Sequence, residues 1–117
     1  MVRRGTSTTL AGRIRRQGVR VSGGSWTLCG LPGGTGQVIV ALGAAAGGAV
    51  TRSRVRRIAR TVLRPGWARA AGVDLLLLAR SAVADRPRRR VRGELTQLLS
   101  RLPTALARWQ GAEERHG

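Results

Sequence analysis

Five arginines lie within nine consecutive residues near the middle of the chain, where their side chains could bind phosphate groups. The run extends from Arg52 to Arg60 and is threaded with Val55, Ile58 and Ala59. A planar guanidinium group can donate two hydrogen bonds to one phosphate, which suits arginine to nucleic acids. At 100° per residue the apolar residues share one side of a helix and the arginines fan over the rest. The run therefore predicts an amphipathic helix that docks on a core and presents arginines to a polyanion.

The whole chain has the charge of a protein that binds a polyanion. Its 117 residues include 22 basic and 5 acidic side chains, a net charge of +17, and every basic residue is arginine. A GC-rich genome is an alternative reason for the missing lysine, but it does not explain the excess charge. Such a charge indicates nucleic acid or an anionic membrane surface as partner. Nucleic acid is favoured, because a membrane-surface helix carries bulkier apolar residues than valine, isoleucine and alanine.

The residue types that usually carry enzymatic catalysis are few and scattered. His116 is the one histidine and Cys29 the one cysteine in the sequence. We therefore expect no zinc site held by the protein, no disulfide within the chain and a buried, structural Cys29. Ser53 and Ser81 have no histidine base, and no two carboxylates are spaced for shared acid–base work. If the protein takes part in catalysis, another molecule must supply the reactive groups.

The sequence favours neither a membrane span nor a targeting segment. The uncharged stretch from residue 21 to residue 51 is interrupted by Pro32 and many glycines, so it contains no apolar run of 18 residues. The first residues are rich in Arg, Ser and Thr, as in an organellar transit peptide. A basic first helix is the preferred interpretation because its pattern continues into the domain. We therefore expect a cytoplasmic protein with no membrane partner.

Local patterns in the first half of the chain predict one helix and two strands. The helix covers residues 10–17, follows three hydroxyl residues that could cap it, and stops at Gly18. The strands cover residues 26–29 and 38–42, and a turn rich in Gly and Pro predicts that they form a hairpin.

The second half predicts further elements around the arginine run. The arginine helix covers residues 50–64 and ends at Pro65-Gly66. Residues 73–79 are an apolar run that reads as a strand buried on both faces, although a helix has the same pattern. A last helix follows Pro87 and stops at Pro103. The arginines at residues 88–92 crowd its start, where the helix dipole disfavours cations and a bound anion would relieve the repulsion.

In this order the elements resemble the protein component of bacterial ribonuclease P, over residues 10–102. That family carries Gly-x-Ala-Val, then Arg-Asn-Arg, then Val and a basic pair. Residues 47–57 read GGAVTRSRVRR, with Ser53 at the position of the family's Asn. Residues 72–80, GVDLLLLAR, resemble the family's Gly-Tyr-Asp strand, and residues 18–22 resemble the turn after its first helix.

The resemblance implies an α+β fold, an α/β sandwich of a small central sheet with about three helices. Its βαβ crossover would be left-handed, against the usual rule, as in the second domain of a small-subunit ribosomal protein. The chain would divide into a basic arm at residues 1–9, an RNA-binding domain at residues 10–103 and a flexible tail at residues 104–117.

The resemblance also implies a function. A catalytic RNA subunit would use Mg²⁺ to hydrolyse one phosphodiester and mature the 5′ end of tRNA. The protein, as a monomer, would bind that RNA and the 5′ leader of the precursor tRNA. The alternative is a structural RNA-binding protein of the ribosomal type, with no part in cleavage.

Candidate RNA-binding residues come from the arginine helix, the first helix and the first strand. The first helix and the sheet would line the leader cleft. The family's first-helix aromatics align with Ala11 and Arg15, so Trp26 is a candidate for stacking on a base, with core packing as the alternative. The full set is Arg52, Ser53, Arg54, Arg56, Arg57, Arg60, Arg13, Arg16 and Trp26.

Overall fold

The computed structural model of the chain describes the backbone of residues 9–63, 65–83 and 86–116. Side chains are described over the same ranges except at residue 65 and residues 110–116. Residues 1–8, most of the predicted arm, lie outside the described residues. The elements are α1 (Leu10–Gln17), β1 (Val19–Gly23), β2 (Trp26–Pro32), β3 (Val38–Ala41), α2 (Ala49–Val62), α3 (Pro65–Ala71), β4 (Val73–Ala79) and α4 (Arg88–His116).

The four strands form one mixed sheet in the order β1-β2-β4-β3. Strand β2 runs antiparallel to β1 and to β4, and β3 runs parallel to β4. The predicted hairpin between β2 and β3 is therefore wrong, because β4 lies between them. The apolar run of residues 73–79 is a strand and not a helix. It takes a central place because a strand that is apolar on both faces needs cover on both.

Each face of the sheet has its own core, and successive residues of β4 alternate between the two. Leu75 and Leu77 belong to the larger core, which α2, α3 and α4 cover. Leu76 belongs to the smaller core, where Ile14 of α1 packs against Cys29. Cys29 is buried, as predicted. Around the smaller core lie apolar side chains that are only half-buried, namely Leu31, Ile39, Ala41 and Leu78.

The architecture confirms an α+β sandwich, with four α-helices among the described residues where about three helices were predicted. The chain passes from β3 through α2 and α3 into the parallel strand β4, so the arginine helix lies within the crossover. The left hand of this crossover stays a prediction. Helix α2 ends at Val62, and the Pro-Gly pair predicted to end it instead begins α3. Proline suits a first helical position because its missing N–H would have no partner there.

Strand β1 occupies residues that were predicted as a turn. Val19 and Val21 are buried while Arg20 and Ser22 are exposed, which is the alternation of a half-buried strand. The α1 boundaries agree with prediction: the Thr9 side chain accepts a hydrogen bond from the Gly12 N–H at 3.0 Å, and α1 ends before Gly18.

Asp74 fixes the turn that leads from β2 to β3. Its Oδ1 accepts hydrogen bonds from the backbone N–H of Gly36 at 3.0 Å and of Gln37 at 2.8 Å. Gly36 has φ +90°, and a Cβ there would collide with the backbone of Arg69 in α3. Glycine readily adopts this positive φ and has no Cβ, so it allows the turn to pack closely against α3.

Helix α4 runs through Pro103, so the predicted helix end at that residue is wrong. Proline removes one hydrogen bond of the helix and clashes with the preceding turn. Here the apolar face continues past it, since Leu102 and Leu106 are both buried and Trp109 packs on the same core. The packing of this apolar face stabilises the helix by more than the proline destabilises it. The division of the chain into arm, domain and flexible tail stays a prediction.

Glu94 anchors the start of α4 to the sheet and to the loop before the helix. Its Oε1 accepts a hydrogen bond from the indole N–H of Trp26 at 2.7 Å and from Arg86 Nη1 at 3.0 Å. Its Oε2 accepts one from Arg90 Nε at 3.1 Å. Arg86 also donates to the Ser25 hydroxyl. The buried indole N–H and the partly buried guanidinium are thus both satisfied by one carboxylate.

The network lowers the pKa of Glu94, which makes stability depend on pH. Burial raises the pKa of this carboxyl, but hydrogen bonds from Trp26 and Arg90 and the charge of Arg86 leave it below its ordinary value of 4.5. The ionised form therefore stabilises the fold above pH 4.5, and this contribution is lost as pH falls through the folded-state pKa. We expect the free energy of unfolding, measured with urea, to fall as the pH is lowered below 4.5. In Glu94→Gln that fall should be smaller; an identical fall would contradict the assignment.

Candidate nucleic-acid interface

Helix α2 is amphipathic, as its sequence predicted. Its buried residues are Val55, Ile58, Ala59 and Val62, which all belong to the larger core. Four such residues over two turns fix both the position and the rotation of the helix on the sheet. The arginines between them are therefore held at a fixed spacing.

Three of the arginines form a row along α2, which we name the outer row: Arg52, Arg56 and Arg60. They recur every fourth residue and so lie on one side of the helix. Arg60 is exposed, and Arg52 and Arg56 are half-buried. Among the described side chains, Glu94 forms its ion pairs with Arg86 and Arg90, and no described carboxylate forms one with the outer row.

The other motif residues lie on the outward side of α2 and toward α4. Ser53 and Arg57 are exposed and Arg54 is half-buried. Arg54 and Arg57 line a cavity of about 180 Å³ between α2 and α4. Two residues of α4 line the same cavity, Arg88 and Arg92, and both were missing from the candidate set. The crowding of arginines at residues 88–92 was the signal that could have included them.

Arg13 and Arg16 lie on a different surface from the α2 arginines. Both are exposed on α1, which packs on the smaller core, whereas α2 packs on the larger core across the sheet. The candidate residues therefore form two basic surfaces, one on each side of the sheet. One contains α2 and the start of α4, and the other contains α1.

Trp26 is not available for stacking on a base, so that candidate role is wrong. Its side chain is fully buried in the larger core, with 0 % exposure. The indole N–H is already donated to Glu94. A large aromatic with a polar N–H is stable in a core when that N–H finds an acceptor, which is the case here.

Among the residues that the structure describes, no three His, Cys, Asp or Glu side chains are grouped so that they could hold a metal ion. No described helix is both long and apolar enough to cross a membrane. The chemistry that the two surfaces offer is therefore the binding of anions by guanidinium groups. Since they lie on opposite sides of one sheet, they can bind two different segments of a polyanion.

Similarity to known proteins covers most of this fold. A family model described as Ribonuclease P matches residues 12–103. The solved RNase P protein of Staphylococcus aureus has the same fold, with a TM-score of 0.68 and 16% sequence identity over 85% of this chain and 91% of that chain. A mutant of the S. aureus protein with defective mRNA degradation activity gives a TM-score of 0.63 and 18% identity, over 75% of this chain and 77% of that chain.

None of the curated protein sequences compared with this chain matches it. The matched segment nevertheless contains α2 with its arginines, all four strands and the start of α4. The chain therefore belongs to the Ribonuclease P family, as a bacterial protein component that serves tRNA processing.

Proposed function

We propose that this protein is the RNA-binding subunit of a ribonuclease P whose RNA subunit carries the chemistry. The observation that supports this most strongly is the outer row on α2, held by buried side chains and neutralised by no described carboxylate. A folded RNA presents phosphates over a large surface, at a spacing comparable to that of the arginines in the outer row. The reaction is hydrolysis of one phosphodiester of precursor tRNA, which matures its 5′ end. The protein binds and positions the RNAs in this reaction.

The proposed reaction uses Mg²⁺, which we assign to the RNA. The described residues do not fit a resident metal site, because no three carboxylate, histidine or cysteine side chains lie together. Divalent magnesium requires several oxygen ligands in octahedral geometry, and phosphate oxygens of RNA supply them. No residue of this chain is therefore assigned a metal-binding role.

Binding to the catalytic RNA depends on its backbone and shape. The sequence of α2, AVTRSRVRRIARTV, contains no Asn or Gln, the side chains that read adenine edges by paired hydrogen bonds. Contacts from arginine to phosphate give affinity that falls steeply with salt and carries little sequence information. Structured RNA is recognised largely in this way.

The 5′ leader of the precursor tRNA binds on the opposite side of the sheet, beside α1. Arg13 and Arg16 offer guanidinium groups there, and the half-buried apolar side chains of Leu31, Ile39 and Leu78 offer a surface for the sugars and bases. Because Trp26 is buried, binding of the leader relies on charge and apolar contact, without stacking on that residue. The protein acts as a monomer, in the cytoplasm.

Reconstitution tests the proposal. The full-length protein is added to its cognate ribonuclease P RNA, and cleavage of precursor tRNA is followed at low and at high Mg²⁺. We expect the protein to raise the cleavage rate strongly at low Mg²⁺, because its arginines replace part of the screening that the RNA otherwise requires from cations. RNA that is active alone at high Mg²⁺ but gains nothing from the protein at low Mg²⁺ would favour a structural RNA-binding role instead.

A further inference from the structure

A groove between α2 and α4 joins three cavities and is lined by arginines of both helices. The central cavity, of about 180 Å³, is the one lined by Arg54, Arg57, Arg88 and Arg92. Toward the start of α2 it continues into a cavity of about 370 Å³ that shares three of these arginines. The groove follows α2 from residue 49 to residue 62, about 20 Å at a rise of 1.5 Å per residue. That length accommodates more than one phosphate.

The arginines at and just before the start of α4 fall into two sets, one paired with Glu94 and one lining the groove. Arg86, just before the helix, and Arg90 face Glu94 and form its ion pairs. Arg88 and Arg92, four residues apart, line the groove instead. Arg57, Arg88 and Arg92 have no ion pair with any described carboxylate. Convergent like charges repel one another, so the groove is favourable for an anion that lies between them.

The far end of the groove is partly apolar and contains an aromatic side chain. A cavity of about 390 Å³ there is lined by Val62, Trp67 and Leu99, with Thr61, Arg92 and Thr96 at its polar part. Thr61 and Arg92 also line the central cavity, so the two are continuous. The volume falls within the range of about 300–1,000 Å³ typical of small-ligand pockets. Trp67 is half-buried, so part of its ring remains accessible.

We propose that this groove binds a single-stranded segment of the RNA partner. Its phosphates lie along Arg57, Arg88 and Arg92, and one unpaired base occupies the cavity at Trp67. The inference rests on the proposed function, since the RNA is that of the ribonucleoprotein. It extends the RNA-binding surface from α2 to α3 and α4, and it supplies an aromatic contact that Trp26 cannot make.

The chemistry of the groove favours an unpaired nucleotide over a duplex. Bases in an RNA helix are stacked and their edges are inaccessible, whereas an unpaired base can turn out and stack on an aromatic ring. The hydroxyls of Thr61 and Thr96 donate to the backbone carbonyls of Arg57 and Arg92. Their oxygens can still accept hydrogen bonds from a base amino group, and the Arg92 guanidinium can donate to a base carbonyl or ring nitrogen.

The charge of the groove is tested with Arg88→Ala/Arg92→Ala in the full-length protein. The matched control is Arg69→Ala/Arg108→Ala, which removes the same charge from exposed residues that do not line the groove. Affinity for the cognate ribonuclease P RNA is measured at several salt concentrations. We expect the groove variant to lose about 25-fold at 0.1 M salt and about 1.4 units of salt slope, at about 0.7 per phosphate. A groove variant that matches the control would overturn the proposal.

The base site is tested through Trp67. In a Trp109→Phe background, which leaves Trp26 buried, fluorescence of Trp67 should be quenched when the cognate RNA binds. Trp67→Ala should weaken binding about 10-fold with an unchanged salt slope, because no charge is removed, and Trp67→Phe should restore most of the affinity. Absence of quenching, with RNA bound, would exclude a base at this site even if Trp67→Ala did not fold.

These outcomes separate the inference from the proposed function. If alanine variants of the outer row weaken RNA binding while the groove variants do not, the protein still binds the RNA through α2, and the groove is not part of the interface. If neither set changes RNA binding or cleavage, the proposed function itself fails.

Discussion

Replacing Arg52, Arg56 and Arg60 together by alanine is expected to weaken binding of the catalytic RNA by about 100-fold at 0.1 M monovalent salt. Each neutralised phosphate contributes about 0.7 to the slope of log affinity against log salt, so three contacts contribute about two log units at that concentration. The measurement is a binding titration of the full-length protein at several KCl concentrations. The slope should become flatter by about two units.

The control for this experiment removes three arginines from elsewhere on the surface. Arg69, Arg80 and Arg108 are exposed and lie on α3, after β4 and on α4, away from the outer row. Their triple alanine variant has the same net charge as the outer-row variant, so a difference between the two reports position and not total charge. Equal affinities and equal slopes would remove the outer row from the interface. Thermal unfolding of both variants should stay close to that of the parent, because surface substitutions usually change stability little.

Replacing Glu94 by alanine is expected to lower the free energy of unfolding by about 2 kcal/mol, because the partly buried Arg86 guanidinium loses its ion-pair partner. The Arg86 side chain is 16% exposed and that of Glu94 is 26% exposed, so solvent compensates only in part. The substitution also leaves the buried Trp26 N–H without its acceptor. Small domains have a total stability of about 5–15 kcal/mol, so this loss is a large fraction of the total.

Two further variants separate the contributions to this loss. Arg90→Ala removes a partner that is 62% exposed and should cost less than about 1 kcal/mol. Glu94→Gln keeps an acceptor for the indole but loses the charge that faces Arg86, so its effect should lie between those of the two alanine variants. Urea unfolding at neutral pH measures all three. A Glu94→Ala variant as stable as Arg90→Ala would show that the network contributes little.

Periodicity was sufficient to predict the helix that carries the site. From Val55 to Val62 the apolar positions of α2 recur at helical spacing and are all buried, so the sides of the helix could be assigned from the sequence; Val50, in its first turn, is exposed. The run at residues 73–79 could be assigned as buried but not as strand or helix, because an apolar run of that length fits both. Strand pairing was beyond local pattern: β2 and β3 are close in sequence, yet each pairs with β4, which comes more than thirty residues later.

Two other features depended on tertiary contacts that the sequence shows only indirectly. Proline at residue 103 predicted a helix end, but continued burial of Leu106 keeps α4 helical beyond it. Glu94 falls on the same side of α4 as Val91 and Leu98, and a carboxylate on an apolar side needs a donor. A buried Trp26 needs an acceptor. Considered together, these two requirements could have predicted the contact between them.

The two-sided sheet has a consequence for how catalyst and substrate meet. If the catalytic RNA binds beside α2 and α4 and the leader binds beside α1, then the sheet and the helices packed on it separate them and act as a spacer. Strand β4 contributes Leu77 to the larger core and Leu76 to the smaller core, so a shift of one core would displace the other. The rigid core of the protein would then fix the distance between the two RNA molecules.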